Sequence, residues 1–476
     1  MPKEEQKGIT VKKEADMADW YSQVVIKAEL ADYSSIRGCL VIRPYGYAIW
    51  EKIMEYFNER LKKLGVKNAY FPLFIPESFF EKEKTHAKGF FPEVAWVERK
   101  DKNEERLAIR PTSETIMYDS YSRWIRSWRD LPLKINQWCN IVRFEVKDVK
   151  PFLRSREFLW QEGHNVFEDE KGASKDALTM ISEYKKLAEE LLAVPVLTGK
   201  KTEHEKFPGA YFTTTIEGFM PDGKALQMGT SHNLGQGFSK AFNIEFLGKD
   251  GNKHRPWQTS WGFSTRLIGA LVMMHGDDKG LILPPKVAPI QIVIVPILPK
   301  EGKEKVLEKA EELKKKLSSK YKVHMDSREE YSPGWKFNEW EMKGVPLRIE
   351  IGPKDIANKS VVIARRDNGN KKNIKVKDIE TKVGKDLEDI QKSLYKKADK
   401  FMKSNVTDAK NWDDFQKAID KKMMVKSLFC GKVNCEDKIK EKTNGVTARV
   451  IESEAKGKCV HCNDDANLKV YFAKSY

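Results

Sequence analysis

The feature that most constrains the fold is the run of residues between positions 140 and 164, NIVRFEVKDVKPFLRSREFLWQEGH. Its side chains alternate in character with a period of two, which is typical of β-strands. We predict a first strand on which Arg143 and Glu145 share one face, then a basic loop and a second strand. One face of the second strand would carry aromatic, acidic and imidazole side chains together: Phe158, Trp160, Glu162 and His164.

This mixed face is poorly suited to a hydrophobic core. Burying a carboxylate without a partner costs on the order of several kcal/mol, so we expect the face to line a polar, ligand-binding cleft. The alternative is a surface sheet held together by a ladder of salt bridges. We consider that alternative less favourable because exposed sheets rarely place two large aromatic side chains in register.

Composition excludes a disordered chain and disfavours a membrane protein. The 476 residues are 40% hydrophobic and 11% aromatic, which is enough to bury a large core. The most apolar stretch, which begins at Ile290, is about half as long as the roughly 18 residues that a membrane helix needs. Residues 1–20 lack the apolar segment of a secretion signal. We therefore expect a cytoplasmic protein with no membrane association.

The charge balance leaves the partner open. Lys and Arg number 86 against 70 Asp and Glu, which gives a formal net charge of +16. Such an excess favours a polyanionic partner, typically nucleic acid. A lysine-rich proteome, in which every surface is basic, explains the charge equally well.

Hydrophobic patterning divides the chain into three units with predicted boundaries at 1–288, 289–395 and 396–476. The first 16 residues are predicted to form a solvated extension, and the rest of the first unit a mostly antiparallel sheet with packed helices. One of these helices, over 175–192, should bury a single stripe: Leu178, Ile181, Tyr184, Leu187 and Leu191. In the second unit strands alternate with helices, which indicates a small α/β domain. The third unit contains lysine-rich helices and a cysteine-bearing tail.

Two segments resemble motifs of the class II aminoacyl-tRNA synthetases. In motif 2 of that class an Arg-x-Glu strand, a basic loop and Arg-x-x-x-Phe follow one another, and the matching residues here are Arg143, Glu145, Arg154 and Phe158. The later segment SWGFSTRLIGALVMMHGD, in which Arg266 opens an apolar helix, resembles motif 3 in a form with few glycines. Motif 1 would end near Pro72.

Three further segments make the chain similar to the prolyl-tRNA synthetases in particular. They are RPTSE at 110–114, FLWQEGH at 158–164 and QMGTSHNLGQGFSKAF at 227–242. The related threonyl-tRNA synthetases carry a zinc-binding cysteine where this chain has Thr112–Glu114, which counts against that family. The interval 164–260 is too short for the editing insertion of the bacterial type, so the resemblance is to the archaeal and eukaryotic type. We accordingly expect no clearance of alanyl-tRNA(Pro) by this chain.

The resemblance implies a fold class and an activity. The fold would be an α+β catalytic domain built on an antiparallel sheet (the class II synthetase fold), an α/β anticodon-binding domain and a small zinc-binding C-terminal α/β domain. The activity would be the ATP-dependent conversion of L-proline to prolyl-adenylate and pyrophosphate, followed by transfer of proline to the 3′ end of tRNA(Pro). A homodimer is implied as well.

The resemblance also implies the site residues. Arg143 and Arg266 would be catalytic by neutralising phosphate oxygens, and Mg²⁺ would join those oxygens beside Gln227. The implied ATP-binding residues are Arg143, Glu145, Arg154, Ser155, Phe158, Gln227, Thr230, Ser264 and Arg266. The implied proline-binding residues are Thr112, Glu114, Arg143, Trp160, Glu162, His164 and His232.

The anticodon of the tRNA would be bound in the second unit. Guanine edges accept hydrogen bonds from Arg or Lys and donate to Glu. The implied residues are Glu341, Lys354, Arg348 and Arg366. The alternative for each of them is a solvated charged rim, because charged residues are mostly exposed.

Four of the six cysteines form two close pairs in the third unit. The pairs are C-x₄-C at Cys430 and Cys435, and C-x₂-C at Cys459 and Cys462. Two such pairs in one tail predict a tetrahedral, structural Zn²⁺ site. Disulfides are the alternative and are disfavoured in a reducing compartment. His461 is expected outside the ligand set, and the isolated Cys39 and Cys139 are expected to be small buried residues.

The same sequence features are compatible with a function other than catalysis. A non-catalytic paralogue could bind tRNA or sense an amino acid with the same fold. Such proteins usually lose a phosphate-binding arginine or the adenine-binding glutamate. Here Arg143, Glu145, Arg154 and Arg266 are all present, which favours the enzyme.

Overall fold

A computed structural model describes residues 8–84, 93–146 and 148–476. The helices described are α1 (Met17–Lys27), α2 (Pro44–Lys63), α3 (Glu77–Lys84), α4 (Glu114–Trp124), α5 (Glu170–Lys186), α6 (Gly237–Ala241), α7 (Arg266–His275), α8 (Lys303–Ser318), α9 (Pro333–Met342), α10 (Pro353–Ala357), α11 (Ile379–Ser404), α12 (Trp412–Asp420) and α13 (Val433–Lys442). Within these ranges no helix has both the length and the apolar character needed to cross a membrane.

The strands described are β1 (Ala31–Tyr33), β2 (Leu40–Ile42), β3 (Lys67–Asn68), β4 (Phe74–Pro76), β5 (Leu107–Ile109), β6 (Leu133–Val142), β7 (Glu157–Phe167), β8 (Leu197–Lys200), β9 (Phe212–Phe219), β10 (Lys224–Gly235), β11 (Phe246–Leu247), β12 (Lys253–His254), β13 (Trp257–Ser264), β14 (Ile292–Pro296), β15 (Val323–Met325), β16 (Leu347–Ile351), β17 (Ser360–Arg365), β18 (Lys371–Lys375), β19 (Val406–Asp408), β20 (Met424–Phe429), β21 (Val446–Lys458) and β22 (Asp465–Ser475).

The largest sheet joins the first and third units. Its strands lie in the order β19-β20-β22-β21-β8-β9-β10-β13-β7-β6-β3, and the central pairs are antiparallel. The predicted antiparallel sheet is therefore confirmed, and the C-terminal strands extend it, with β22 also pairing with the start of β10. A separate five-stranded sheet, β15-β14-β16-β17-β18, forms the predicted α/β unit. The boundaries at 288 and 395 stay predictions.

The core beneath the large sheet is formed by α2, α5 and α7. Helix α2 buries Ile49, Ile53 and Phe57 at helical spacing, and the Phe57 ring lies 5.3 Å from that of Tyr184 on α5. In α5 the predicted inward stripe is wrong at Leu178, which is 50% exposed. The other four positions, Ile181, Tyr184, Leu187 and Leu191, are buried as predicted, and Ala177 and Met180 are buried in place of Leu178.

The structure corrects the first predicted strand. β6 ends at Val142, so Arg143 and Glu145 do not alternate on a strand but lie in a turn. The backbone N–H of Arg143 still donates to the carbonyl of Arg156, yet the chain then leaves the sheet and Phe144 is exposed. The physical reason is that the neighbouring strand β7 begins only at Glu157, so residues 144–146 have no partner strand.

The N-terminal extension is also different from the prediction. Residues 1–7 lie outside the described residues, but Lys13 is not simply solvated. Its ammonium donates to the carbonyls of Met273 and Gly276 at 2.6 and 2.7 Å, where α7 ends. A cation at a helix C-terminus satisfies carbonyls that have no partner within the helix. Lys13 therefore caps the helix that Arg266 begins.

Candidate active site

A cavity of about 320 Å³ lies on the central strands β7, β10 and β13 of the large sheet. All seven residues predicted to bind proline line it: Thr112, Glu114, Arg143, Trp160, Glu162, His164 and His232. Five more of the residues predicted to bind ATP also line it: Phe158, Gln227, Thr230, Ser264 and Arg266. The remaining three, Glu145, Arg154 and Ser155, lie outside the cavity wall. Twelve of the fifteen residues predicted to bind proline or ATP thus line this cavity.

Strand β7 supplies one wall because its side chains alternate. Every second residue from Phe158 to His164 faces the cavity, as the sequence predicted. On the opposite face, a Cβ on Gly163 would lie 2.1 Å from the indole ring of Trp261. Glycine is therefore required at 163, because Trp261 packs directly against this backbone.

One end of the cavity, which we call the acidic end, contains Glu114, Glu162 and His164. The Glu162 carboxylate accepts hydrogen bonds from Ser113 Oγ at 2.5 Å and Gln137 Nε2 at 3.0 Å, and lies 3.1 Å from His164 Nε2. Burial alone would raise the pKa of Glu162, but the contact with His164 holds that pKa below its usual value. Burial likewise opposes protonation of His164, yet Glu162 and Glu114 raise its pKa. The pair is buried, and each partner favours the charged form of the other.

The second imidazole of the cavity behaves in the opposite way. Burial, followed by the nearby charges of His164 and Lys201, lowers the pKa of His232 to about 3, so this ring is neutral at physiological pH. Its Nδ1 lies 2.9 Å from Thr213 Oγ1. At Glu114, a carboxylate oxygen accepts a hydrogen bond from the hydroxyl of Thr112.

The other end of the cavity, which we call the arginine end, contains Arg143 and Arg266. Arg266 is the first residue of α7 and donates to the carbonyls of Leu153 and Gln227 at 3.1 and 3.2 Å. Burial and the charge of Arg143 lower the pKa of Arg266 to about 10, which leaves it charged at neutral pH. Within the described residues neither guanidinium forms an ion pair with a carboxylate, and the charges of Glu145, Glu114 and Glu162 act on Arg143 only from a longer distance.

The predicted ATP residues outside the cavity are close to its arginine end. Glu145 is exposed on the turn after β6, and its charge acts on the buried Arg143. Arg154 is near enough for its charge to lower the pKa of Arg266. Ser155 is buried and lies just before the first residue of β7. The turn that carries Glu145 is therefore the part of the predicted nucleotide site that the sequence located least well.

A loop at residues 201–208 lines the cavity and was missed by the sequence analysis. It contributes Lys201, Glu205 and Phe207, whose ring centroid lies 5.0 Å from that of His232. The segment KTEHEKFP is polar and matches no motif. The one available signal was a phenylalanine next to Pro208-Gly209 in an otherwise charged loop.

The four clustered cysteines converge on a common point, as predicted. Their sulfur atoms all lie within 4.8 Å of one another, with Cys435–Cys459 at 3.8 Å and Cys462–Cys430 at 3.7 Å. These separations are too long for the roughly 2.05 Å bond of a disulfide. Four thiol donors around one point fit a tetrahedral metal ion. His461 lies against the cluster, with Nδ1 3.4 Å from Cys435 Sγ. Cys39 and Cys139 are half-buried rather than buried.

Three of the four residues predicted to bind the anticodon form one network. Arg348 pairs with Glu341 at 3.1 Å, and its guanidinium stacks on Phe337 at 4.1 Å. Arg366 donates to the Glu341 carbonyl at 2.8 Å and to both carboxylate oxygens of Asp277, which follows α7. Lys354 lies apart from this network and is exposed at the start of α10. Their role in anticodon binding stays a prediction.

Comparison with protein families assigns each of the three units. Residues 96–275 match the tRNA synthetase class II core domain (G, H, P, S and T). Residues 291–386 match the anticodon binding domain, and residues 412–476 match the prolyl-tRNA synthetase C-terminal domain.

Individual relatives cover nearly the whole chain. The proline–tRNA ligase of Natranaerobius thermophilus is 52% identical over 97% of this chain and 96% of its own length. Proline–tRNA ligase 2 of Bacillus cereus is 48% identical over the full length of both. The crystal structure of prolyl-tRNA synthetase from Cryptosporidium parvum, complexed with L-proline and AMP, is 44% identical and covers 99% of this chain and 100% of its own, with a TM-score of 0.92.

Proposed function

The chain belongs to the proline–tRNA ligases, which are class II aminoacyl-tRNA synthetases, and on that premise we propose that its cavity activates L-proline with ATP. The proline carboxylate attacks the α-phosphate, prolyl-adenylate forms and pyrophosphate leaves. The proline is then transferred to the 3′ end of tRNA(Pro). One observation carries this proposal: two arginines, neither of them ion-paired with a carboxylate among the described residues, share one cavity with the buried Glu114, Glu162 and His164.

The arginine end is suited to a triphosphate. Phosphoryl-type transfer is catalysed mainly by positioning and by neutralising the oxygens that gain charge. We assign Arg143 to the α-phosphate and the proline carboxylate, because a guanidinium fork binds two oxygens at once. Arg266 and Arg154 would hold the γ-phosphate. Fixed by two backbone carbonyls, Arg266 loses little freedom when it binds.

The adenine would lie against Phe158, whose ring lines the cavity and stands 5.7 Å from the Arg143 guanidinium. Glu145 would accept a hydrogen bond from the adenine amino group. Ser155, Thr230 and Ser264 complete the proposed nucleotide site with hydroxyl groups.

The acidic end is suited to a small cyclic ammonium. Glu114 and Thr112 would bind the secondary amine of proline, and Trp160, Glu162, His164 and His232 would shape the space around the ring. A neutral His232 supports this assignment, because a second cation here would repel the amine. A pocket of this kind discriminates by only about 1–3 kcal/mol per methylene, so alanine is an expected error. We propose that the chain does not itself deacylate alanyl-tRNA(Pro).

Two metal ions belong to the proposal. Mg²⁺ would accompany ATP and neutralise phosphate oxygens, with the Gln227 side chain beside it in the cavity wall. Zn²⁺ would be held by Cys430, Cys435, Cys459 and Cys462 and would cross-link the C-terminal unit. Transfer RNA(Pro) is the proposed macromolecular partner, with Glu341, Lys354, Arg348 and Arg366 near its anticodon. We further propose a cytoplasmic homodimer, which light scattering after size-exclusion chromatography would test.

Proline-dependent exchange of pyrophosphate into ATP tests the proposed function. The wild-type chain should catalyse exchange with proline, and Arg143→Ala should abolish it. Arg123→Ala is the matched control, because the Arg123 side chain is 61% exposed on α4, does not line the cavity and pairs with the Asp119 carboxylate. A wild-type chain without proline-dependent exchange would contradict the proposal and favour a non-catalytic paralogue.

A further inference from the structure

The loop 201–208 is held in place by the C-terminal unit rather than by the catalytic unit alone. Two buried residues from that unit reach it: Glu436 on α13 is 1% exposed, and Arg449 on β21 is 5% exposed. Neither residue lines the cavity among the residues described. Both residues contact the cavity only through side chains of other residues. They can therefore influence the cavity only by holding those residues in position.

Glu436 fixes the start of the loop. One of its carboxylate oxygens accepts a hydrogen bond from Thr202 Oγ1 at 2.9 Å, and the other accepts from the backbone N–H of Ala448 at 3.2 Å. The carbonyl of Thr202 in turn accepts from the N–H groups of Glu205 and Lys206, which closes the loop into a turn. Glu436 directly follows Cys435, so the cysteine cluster and the loop are connected through one turn of helix.

Arg449 supports the same loop through a chain of buried ion pairs. Its Nη2 donates to both oxygens of Glu217 at 2.9 and 3.1 Å, and Glu217 is fully buried on β9. The Oε1 oxygen of Glu217 also accepts a hydrogen bond from Lys201 Nζ at 3.2 Å. Arg449 Nη1 also lies 3.8 Å from a carboxylate oxygen of Glu205. Removing Glu217 would leave the buried ammonium of Lys201 without its carboxylate partner.

The loop reaches the acidic end of the cavity. The N–H of Phe207 donates to Thr213 Oγ1 at 2.9 Å, and the same hydroxyl contacts His232. The Phe207 ring then packs over the His232 ring. Arg143 and Arg266, at the arginine end, make no hydrogen bond to residues 201–208 in the described part of the chain.

We propose that Glu436 and Arg449 are positioning residues for the amino-acid pocket: the C-terminal unit holds the loop 201–208 so that Phe207 and Glu205 close over proline. This inference rests on the proposed function, since it assigns the acidic end to the amino acid. It gives the four-cysteine unit a part in proline recognition as well as in stability.

Substitutions at the Glu436–Thr202 hydrogen bond test the proposal. Glu436→Met keeps the side-chain volume but removes the acceptor, and Thr202→Val removes the donor without changing the shape. Each should raise the KM for proline in the exchange assay by roughly tenfold, because a hydrogen bond to a buried carboxylate is lost. The KM for ATP and the kcat should change less than about twofold. Glu436→Gln should recover the proline KM only in part, because its amide oxygen can accept from Thr202 while its amide nitrogen then faces the N–H of Ala448.

Lys432→Met is the matched control. Lys432 precedes the cysteine-bearing helix and forms an exposed pair with Asp464, and among the described residues its side chain makes no ion pair with the loop. It should leave both KM values unchanged. Hydrogen–deuterium exchange of the peptide that covers residues 201–208 provides a readout independent of activity: it should be faster in Glu436→Met and Thr202→Val, and after removal of zinc by a chelator, but not in Lys432→Met.

The proposal would be overturned if the variants melted at a lower temperature but kept the wild-type KM for proline and the wild-type hydrogen–deuterium exchange of the loop. If Glu436→Met does not fold, Thr202→Val decides, because its substitution lies outside the cysteine unit. If the wild-type chain showed no pyrophosphate exchange, that result would contradict the proposed function instead. Hydrogen–deuterium exchange of the loop in the variants would still test whether Glu436 anchors it.

Discussion

The two ends of the cavity are built in different ways. At the acidic end the charged groups have partners within the protein: Glu162 binds His164, Ser113 and Gln137, and Glu114 binds Thr112. At the arginine end the guanidinium groups of Arg143 and Arg266 donate to backbone carbonyls and, in the described part of the chain, pair with no carboxylate. The acidic end is therefore shaped before any ligand arrives, whereas the arginine end acquires its counter-charge from the ligand. A small amino acid needs a preformed pocket, and a triphosphate brings enough charge to organise its own site.

The largest effect is expected at the arginine end. Arg266→Ala should lower kcat for proline-dependent pyrophosphate exchange by about a hundredfold to a thousandfold, because a positioned donor to the charged phosphates is lost. Arg266→Lys should recover little of this, since a compact ammonium lacks the planar fork with which Arg266 places separate N–H groups on two carbonyls and leaves others for a phosphate.

Proline binding by the same variant would sharpen the comparison. If the acidic end is preformed, proline should bind Arg266→Ala as it binds the wild type, measured calorimetrically without ATP. A parallel loss of proline affinity would contradict the separation of the two ends.

An intermediate effect is expected at the acidic end. Glu162→Gln keeps the shape but leaves the buried His164 without its ionic partner, so the KM for proline should rise by about tenfold to a hundredfold. The KM for ATP should change little. Glu168→Gln, on the exposed residue just after β7, is the matched control and should behave as wild type. Equal increases in the KM for proline and the KM for ATP would contradict the conclusion that the two ends of the cavity act separately.

The smallest effect concerns pH. A histidine with an ordinary pKa near 6.5 would gain a proton on acidification from pH 8 to 6 and repel the proline amine, raising the KM. The pKa of His232 is about 3, so it gains almost no proton in this interval. His232→Asn should therefore shift the KM for proline by the same factor at every pH from 6 to 8. A wild-type KM that rises towards pH 6 more steeply than that of the variant would show that His232 titrates normally.

The sequence predicted those parts of the site that depend on local pattern. The cavity face of β7 follows from a period of two, because adjacent residues of a strand must point to opposite sides. The same logic failed at Arg143 and Glu145, where the strand ends. Whether a strand continues depends on a neighbouring strand being present, and β7 begins only at Glu157.

The sequence by itself determined the chemistry available: the arginines, the acid–histidine face and two cysteine pairs whose spacing already predicted a metal site. Only the tertiary structure decided which of these groups meet. Strand β22 pairs with β10, although about half of the chain separates the two strands in sequence. The C-terminal unit thereby lies against the catalytic sheet, where Arg449 contacts Glu217 and Glu436 contacts Thr202. Contacts between residues so far apart leave no periodicity in the sequence, because they are selected by the packing of whole elements rather than by neighbouring residues.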